Sequence, residues 1–283
     1  MKRSLSFKDN VPLLYLIATP IGNLQEFSPR AISTIQESDF IACEDTRNTS
    51  KLLAFFQIKK KLISLHEHNE VVASNQIIEL LKQGQRIAYL SDAGFPAISD
   101  PGEILVKKCL ENEINVSVIG GSNALLVALV GSGLSTERFY FHGFLKAKKT
   151  EREKELLKLK DKEETLIFYE SPHRIDETLN SMLIVFGDRP AVIARELTKV
   201  HEEYIRGHLK ELADIAKETL KGEMVIVVSG HVSENISISD ETILKEYALT
   251  NLKLTTKDRI DLVAKKLSLQ KRRIYNLIMK NQR

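Results

Sequence analysis

The chain of 283 residues is long enough for two or three domains that each bury a core of their own. Its 43% hydrophobic and 28% charged residues are typical of a globular protein, and no apolar run approaches the roughly 18 residues of a membrane-spanning helix. The net charge of +3 is too small to indicate nucleic-acid binding by the whole chain. Two cysteines, Cys43 and Cys109, lack metal-ligand spacing, which excludes a disulfide framework and a zinc site. The first ten residues lack the apolar core of a signal peptide, so we expect a cytoplasmic protein.

Short apolar runs alternate with helical segments through residues 1–137, which predicts a mostly parallel α/β domain. Ser28 and Pro29 are typical of a helix start, and Gly84 is typical of a helix end. The predicted strands are residues 13–18, 40–43, 63–65, 87–90 and 115–119. One predicted helix starts at residue 28, and the others cover residues 50–55, 72–82, 102–112 and 125–130.

The loop 91–102 follows a strand that is apolar throughout, and the carboxyl ends of such strands are where open α/β sheets bind ligands. Asp92 supplies a carboxylate, and Gly94 lets free backbone approach a ligand. Asp100 is predicted to cap the next helix, with Pro101 in its first turn and Glu103 completing a capping box. The alternative is an ordinary tight turn between strand and helix.

Residues 138–230 repeat the α/β pattern and form the second predicted domain. The charged segment 146–164 is predicted to be a solvated helix. The apolar runs 166–169, 191–194 and 224–228 predict buried strands, with a helix at 175–186 and a further segment starting at 138–144.

Residues 231–283 are a basic helical extension, with eleven Lys or Arg against six Asp or Glu. Helices are predicted at 242–249, 257–266 and 270–280, and the connector 267–269 resembles that of a helix-turn-helix. Lys271, Arg272 and Arg273 form a candidate phosphate-binding surface. The alternative is a terminal helical hairpin that packs on the body or on another subunit.

Small polar loops end several predicted parallel strands, which predicts a ligand cleft between the two α/β domains. The loops lack the G-x-G-x-x-G and P-loop patterns, which excludes the usual dinucleotide and nucleoside-triphosphate sites. His66, His68, His173 and His201 lie on different segments, so no metal is expected. The loops are residues 19–23, 44–47, 91–94, 120–124, 169–174 and 195–198.

Five motifs, in this order and spacing, resemble the ribosomal RNA small subunit methyltransferase I family of the tetrapyrrole methylase superfamily. The resemblance covers residues from about 13 to 230. The motifs read LIATPIGNL at 16–24, CEDTR at 43–47, SDAGFPAISDPG at 91–102, FYESPHRI at 168–175 and ARELTK at 194–199.

The resemblance implies two α/β domains with S-adenosylmethionine bound between them and a ribose of small-subunit ribosomal RNA as the methyl acceptor. It implies 2′-O-methylation of a decoding-site cytidine, C1402, on RNA or on the assembled subunit, by a homodimer. The first loop, residues 19–23, departs from the GxGPGD-like turn of tetrapyrrole-modifying members, which disfavours porphyrinoid substrates. A small-molecule methylase and a non-catalytic RNA-binding protein remain the alternatives.

The resemblance also implies site residues for the cofactor. Asp92 and the backbone near Phe95 are expected to position the methyl donor, and a helix N-terminus after residue 123 is expected to attract its carboxylate. The predicted cofactor-binding residues are Thr19, Pro20, Gly22, Ser91, Asp92, Ala93, Gly94, Phe95, Ser122, Asn123, Ala124, Tyr169, Glu170 and Met224.

A ribose hydroxyl must lose its proton before it attacks, so methyl transfer needs a base near the donor. The candidate bases are Glu44, Asp45, Glu170 and Glu196, and the choice among them stays open. The cations expected to hold an RNA phosphate or to stabilise the developing alkoxide are Arg47, Arg174 and Arg195.

Overall fold

The computed structural model describes residues 13–217, 220–232, 239–250, 254–267 and 269–281. The N-terminal segment 1–10 and Ser268 of the predicted connector lie outside the described residues. Within these ranges, every helix is too short or too polar to span a bilayer. The chain divides into two compact units, Met1–His231 and Val232–Arg283. The domain boundaries at 137 and 230 stay predictions.

The first sheet has five parallel strands in the order β3-β2-β4-β1-β5, as the alternation of strands and helices predicted. All four residues of β4 are buried, as expected for a strand covered on both faces. The strands are β1 (Leu13–Ile17), β2 (Phe40–Cys43), β3 (Lys61–Ser64), β4 (Ile87–Leu90) and β5 (Asn115–Ile119).

Helices cover both faces of this sheet because alternate strand residues point to opposite sides. Residues of α1 and α2 share a core with Ile17, and residues of α3 and α4 share a second core with Leu14. Ser28 caps α1 by accepting a hydrogen bond from the Ala31 amide, with Pro29 as the first helical residue, as predicted. The helices are α1 (Pro29–Glu37), α2 (Thr46–Phe55), α3 (Glu70–Lys82), α4 (Glu103–Glu111) and α5 (Ala124–Ser132).

The predicted cap of α4 is wrong. Gly102, at φ +135°, is the capping residue, and Glu103 is the first residue of the helix. The carboxylate of Glu70 accepts hydrogen bonds from the amides of Gly102 (2.8 Å) and Ile104 (3.0 Å). Because the carboxylate of Glu70 satisfies these donors, Asp100 does not have the capping role that was predicted for it.

The second sheet is mixed, in the order β6-β7-β10-β8-β9. β6 pairs with β7 in parallel, and β7 and β8 run in the same direction because β10 lies antiparallel between them. Met224, the first residue of β10, therefore pairs with Glu170 and Arg195 at the carboxyl ends of its neighbours. The strands are β6 (Phe139–Phe144), β7 (Thr165–Glu170), β8 (Pro190–Arg195), β9 (Glu203–His208) and β10 (Met224–Val228).

Three helices cover one face of the second sheet, and α5 covers the other. The prediction of a solvated helix at 146–164 is wrong for one face of α6. Its Arg152 is buried and donates hydrogen bonds to Ser181, Glu177 and the carbonyl of Ala147. These helices are α6 (Lys149–Leu159), α7 (Ile175–Phe186) and α8 (Leu209–Ile215).

The C-terminal unit consists of α9 (Asp240–Ala248), α10 (Thr256–Leu267) and α11 (Lys271–Asn281), each close to its predicted position. Ser239 caps α9 by accepting a hydrogen bond from the Thr242 amide. Apolar residues of the three helices, at helical spacing, share one small core. Its buried members are Ile243, Tyr247, Ile260, Val263, Ala264, Ile274 and Ile278.

Candidate active site

A cavity of about 400 Å³ lies where the loops of the first sheet meet the edge of the second sheet that carries the end of β7 and the start of β10. Its size and its mixture of apolar and polar walls are typical of small-molecule sites. It is lined by Ile21, Glu44, Asp92, Ala93, Gly94, Phe95, Ile98, Ser99, Asp100, Asn123, Ala124, Phe144, Tyr169, Glu170, Ser171, Pro172, Leu197, Glu223, Met224 and Val225.

Five acidic residues line this cavity, and three of them, Glu44, Asp92 and Asp100, lie in loops of the first sheet. Burial, with the neighbouring charge of Glu44, raises the pKa of Asp100 to about 7. Burial and the charge of Asp92 likewise raise the pKa of Glu44. No lysine or arginine is among the described residues that line the cavity. Like charges in a partly desolvated site stabilise a bound cation or retain protons.

Asp92 is held in place by α2. Its carboxylate accepts hydrogen bonds from the Asn48 side-chain amide (2.8 Å) and from the Asp45 backbone amide (3.3 Å). The backbone of the same loop is less free than predicted, because the amide and carbonyl of Gly94 both pair with Thr19. This pair of backbone hydrogen bonds joins the loops at the ends of β1 and β4 and fixes one wall of the cavity.

Aromatic and helical elements form the remaining walls. The ring of Tyr169 contacts those of Phe141 and Phe144, at centroid distances of 4.9 and 5.5 Å, and burial raises the pKa of its hydroxyl. Asn123 caps α5 by accepting a hydrogen bond from the Leu126 amide. The N-terminus of α5 therefore lies beside the carboxylates, with Asn123 and Ala124 lining the cavity.

Comparison with known proteins identifies the family. The sequence family described as tetrapyrrole (corrin/porphyrin) methylases matches residues 13–213. The ribosomal RNA small subunit methyltransferase I of Halalkalibacterium halodurans is 44% identical over 285 residues, covering 98% of each chain. That of Bacillus subtilis is 45% identical, covering 85% of this chain and 84% of its own. The chain belongs to the ribosomal RNA small subunit methyltransferase I family.

Solved structures confirm the predicted fold class for this family member. Diphthine synthase aligns with a TM-score of 0.60 and 15% identity, covering 77% of this chain and 89% of its own. The uroporphyrin-III C-methyltransferase of Thermus thermophilus, complexed with S-adenosylhomocysteine, aligns with a TM-score of 0.53 and 15% identity, covering 76% of this chain and 96% of its own. At this identity the likeness shows the fold alone.

Two of the candidate bases of this methyltransferase lie outside the cavity lining. Asp45 caps α2, and its carboxylate pairs with the Arg47 guanidinium at 2.6 Å. Hydrogen bonds from Arg47 lower the pKa of Asp45 to about 2. A hydrogen bond from Lys199 likewise lowers the pKa of Glu196. Carboxyls with lowered pKa values are weaker proton acceptors than carboxyls with raised pKa values.

Glu170 lines the cavity of this methyltransferase, but its carboxylate is fully used by the protein. It accepts hydrogen bonds from Arg174 (2.7 Å), from the Ser171 amide (2.7 Å) and from the Thr178 hydroxyl (2.6 Å). Arg174 donates hydrogen bonds to Glu170 and also to the carbonyl of Leu145. These contacts join the end of β7 to α7.

The remaining predicted residues fall into two groups. Thr19, Pro20 and Ser91 line a second groove, which meets the cavity at Asp92. The others contact protein groups: Gly22 packs against Lys199, Ser122 bonds to Glu26, Arg195 bonds to Glu203 and to the Lys221 carbonyl, and Cys43 is buried.

Sequence reasoning missed several cavity residues. Asp100 lies in the motif 91–102, but an Asp-Pro pair before a helix also predicts a helix cap. The local sequence does not distinguish a capping residue from one that lines a cavity. Glu223 reaches the cavity only because β10 is antiparallel. The other missed members are Ile21, Ile98, Ser99, Phe144, Ser171, Pro172, Leu197 and Val225.

Proposed function

We propose that this protein transfers a methyl group from S-adenosylmethionine to the 2′-hydroxyl of a cytidine in small-subunit ribosomal RNA, at the decoding-site position C1402. The cluster of three carboxylates in a cavity between two α/β halves carries the proposal. The relatives in Halalkalibacterium halodurans and Bacillus subtilis, which are named for small-subunit ribosomal RNA, support the substrate class. The predicted cofactor is confirmed by membership in a family of methylases.

The described residues fit S-adenosylmethionine. The ligand is a cation, and Glu44, Asp92 and Asp100 surround the cavity without a lysine or arginine in its described lining. Burial and the charges of neighbouring carboxylates raise the pKa values of Glu44 and Asp100. A bound cation stabilises their ionised forms, so binding and ionisation of the carboxyls reinforce each other.

The apolar walls suit the adenosine. Ile21, Phe95, Leu197, Met224 and Val225 present apolar surface around the carboxylates. Met224 is 2% exposed, so it is both a strand residue of the core and a wall of the cavity. Hydrophobic walls with a few convergent polar groups orient a small molecule and exclude water around it.

Glu44 has the properties of the proton acceptor. When bound, S-adenosylmethionine supplies a methyl group on a sulfonium, which leaves as a neutral thioether once the ribose oxygen has taken the methyl group. The hydroxyl proton passes to the Glu44 carboxylate. Its raised pKa makes it a better acceptor than Asp45 or Glu196. Asp92 and Asp100 hold the cationic donor.

The basic extension is the proposed second contact with RNA. Lys271 pairs with Asp261 at 2.7 Å, and Arg273 approaches Asp240 at 3.5 Å, so a phosphate would compete with these exposed carboxylates. Arg272 is exposed on the same turn of α11. Ribosomal RNA or the assembled small subunit as partner, a homodimer and a cytoplasmic location complete the proposal.

Methyl transfer onto small ribosomal subunits from a strain that lacks the modification tests the proposal. Mass spectrometry of RNA fragments should place one methyl group on a cytidine ribose. A methyl group on a base would overturn the ribose chemistry. Calorimetry with S-adenosylmethionine separates the non-catalytic alternative, in which an RNA-binding protein has no affinity for the methyl donor.

A further inference from the structure

A second groove, of about 320 Å³, runs between the first loop and α2. One face of α2 forms a wall of this α2 groove, because positions 48, 51, 52 and 55 have the spacing i, i+3, i+4 and i+7 and share a side of the helix. The groove shares Asp92 with the cofactor cavity, so a ligand in it reaches the carboxylate cluster. It is lined by Thr19, Pro20, Leu24, Asn48, Thr49, Lys51, Leu52, Phe55, Ser91 and Asp92.

Phe55 is the exposed aromatic residue of this groove. Its side chain is 62% exposed, although it is large and apolar, and its ring contacts only Phe56 among the aromatic rings described, at 5.0 Å edge-on. An exposed ring that lines a groove is a platform on which a base can stack. Leu24, Leu52 and Pro20 extend the apolar surface into the groove.

Two basic side chains of α2 lie near Phe55. Lys51 lies one turn before Phe55, and in the described part of the chain its amine has no ion-pair or hydrogen-bond partner. Arg47 lies one turn before Lys51, and its side chain is 84% exposed although it pairs with Asp45. The α2 wall of the groove thus presents the Lys51 amine one turn before the Phe55 ring, and Arg47 lies one further turn away, outside the lining.

We propose that the α2 groove binds the acceptor nucleotide as a single unstacked unit. The base stacks on Phe55, Lys51 holds a flanking phosphate, and the ribose points to Asp92, where the groove opens into the cofactor cavity. Specific recognition of RNA uses unstacked bases on aromatic rings, with phosphates on cations. The inference rests on the proposed ribose methylation and adds the site that presents the hydroxyl to the donor.

Steady-state methylation of unmodified small subunits at saturating S-adenosylmethionine tests the stacking. Phe55→Ala should lower kcat/KM for the subunit about ten- to a hundredfold, and Phe55→Tyr should retain most of the activity. The affinity for S-adenosylmethionine should stay the same, because Phe55 is absent from the cavity lining. Ile184→Ala, which removes an equally exposed apolar side chain on α7, is the matched control and should change nothing.

Salt dependence tests the phosphate contact. Lys51→Ala should weaken subunit binding and flatten the slope of log affinity against log salt by about 0.7, the value for one single-strand phosphate. Lys107→Ala, at an exposed lysine of α4, should leave the slope unchanged. If the unaltered protein methylates the subunit but neither α2 variant differs from its control, the groove assignment is wrong. If the unaltered protein methylates no RNA, the proposed function itself fails.

Discussion

Neighbouring carboxyls at the site differ in what surrounds them, and this separates their roles. Asp45 accepts hydrogen bonds from Arg47, which lower its pKa. Burial and the charges of neighbouring carboxylates raise the pKa of Glu44, the preceding residue. Asp100 is the most strongly shifted member of the cluster, with a pKa of about 7. Adjacent positions in the sequence therefore carry opposite chemistry.

Glu44→Gln should slow single-turnover methyl transfer about 10²- to 10⁴-fold, because it removes the proton acceptor. Affinity for S-adenosylmethionine should fall less than tenfold. Asp45→Asn is the matched control: asparagine caps a helix as well as aspartate does, so the rate should stay within about threefold. A Glu44→Gln enzyme with an unchanged rate would remove Glu44 from the mechanism.

Affinity for S-adenosylmethionine should rise with pH through about 7, because Asp100 must be ionised to hold a cation. Below that pH, the carboxyl is protonated and affinity should fall up to about tenfold per pH unit. Asp100→Asn should bind weakly with a much shallower pH dependence, and Asp176→Asn, on the surface of α7, should keep the normal profile. Calorimetry between pH 5.5 and 8.5 measures this, and an identical pH profile for Asp100→Asn would contradict the assignment.

At the scale of elements, one long-range contact shapes the cofactor loop. Ala97 and Ser99 have φ of +67° and +61°, which costs free energy in residues that carry a Cβ. The buried carboxylate of Glu70 offsets this by accepting the amides of Gly102 and Ile104. The start of α3 thereby holds the loop so that Asp100 faces the cavity.

Glu70→Ala should lower the free energy of unfolding by about 1–3 kcal/mol, because two amides lose their acceptor. It should also weaken binding of S-adenosylmethionine, since the loop that carries Asp100 loosens. Glu70→Gln keeps one oxygen acceptor and should lose less. Urea unfolding measures the first effect, with Glu79→Ala on the exposed face of α3 as a control that should stay within about 0.5 kcal/mol. Equal losses in both alanine variants would show that Glu70 has no special role.

At the scale of the whole molecule, α5 joins the two halves of Met1–His231. It follows β5 of the first sheet, yet Leu125 and Leu129 pack with Ile167 and Val192 of the second. The Tyr204 hydroxyl of β9 donates to the carbonyl of Val127 at 3.1 Å. Because the cavity lies between the halves, its shape depends on this packing.

Gly131→Ala should destabilise the protein by about 1–3 kcal/mol, because the new Cβ would lie 2.4 Å from the Tyr204 ring. The ring would have to shift and break its hydrogen bond to α5. In a Tyr204→Ala background the clash is absent. There Gly131→Ala should stabilise the protein, since alanine favours a helix over glycine. Thermal unfolding of the single and double variants measures the coupling. Additive effects would show that Gly131 and Tyr204 do not interact.

The sequence by itself determined the features that depend on neighbouring residues. Apolar runs located the strands, Ser28 with Pro29 located the start of α1, and the motifs identified the family. They also identified the loops at the cavity, so that Asp92 to Phe95, Asn123, Ala124, Tyr169 and Met224 line it. Their roles toward the donor remain predictions.

Only the tertiary structure decided the features that depend on distant residues. The direction of β10 brought Glu223 to the cavity, and Glu70 took the capping role expected of Asp100. The pKa values of Glu44 and Asp100 depend on burial and on charges from other loops. Local sequence sets backbone preference, whereas desolvation and long-range hydrogen bonds arise only when the loops are assembled in space.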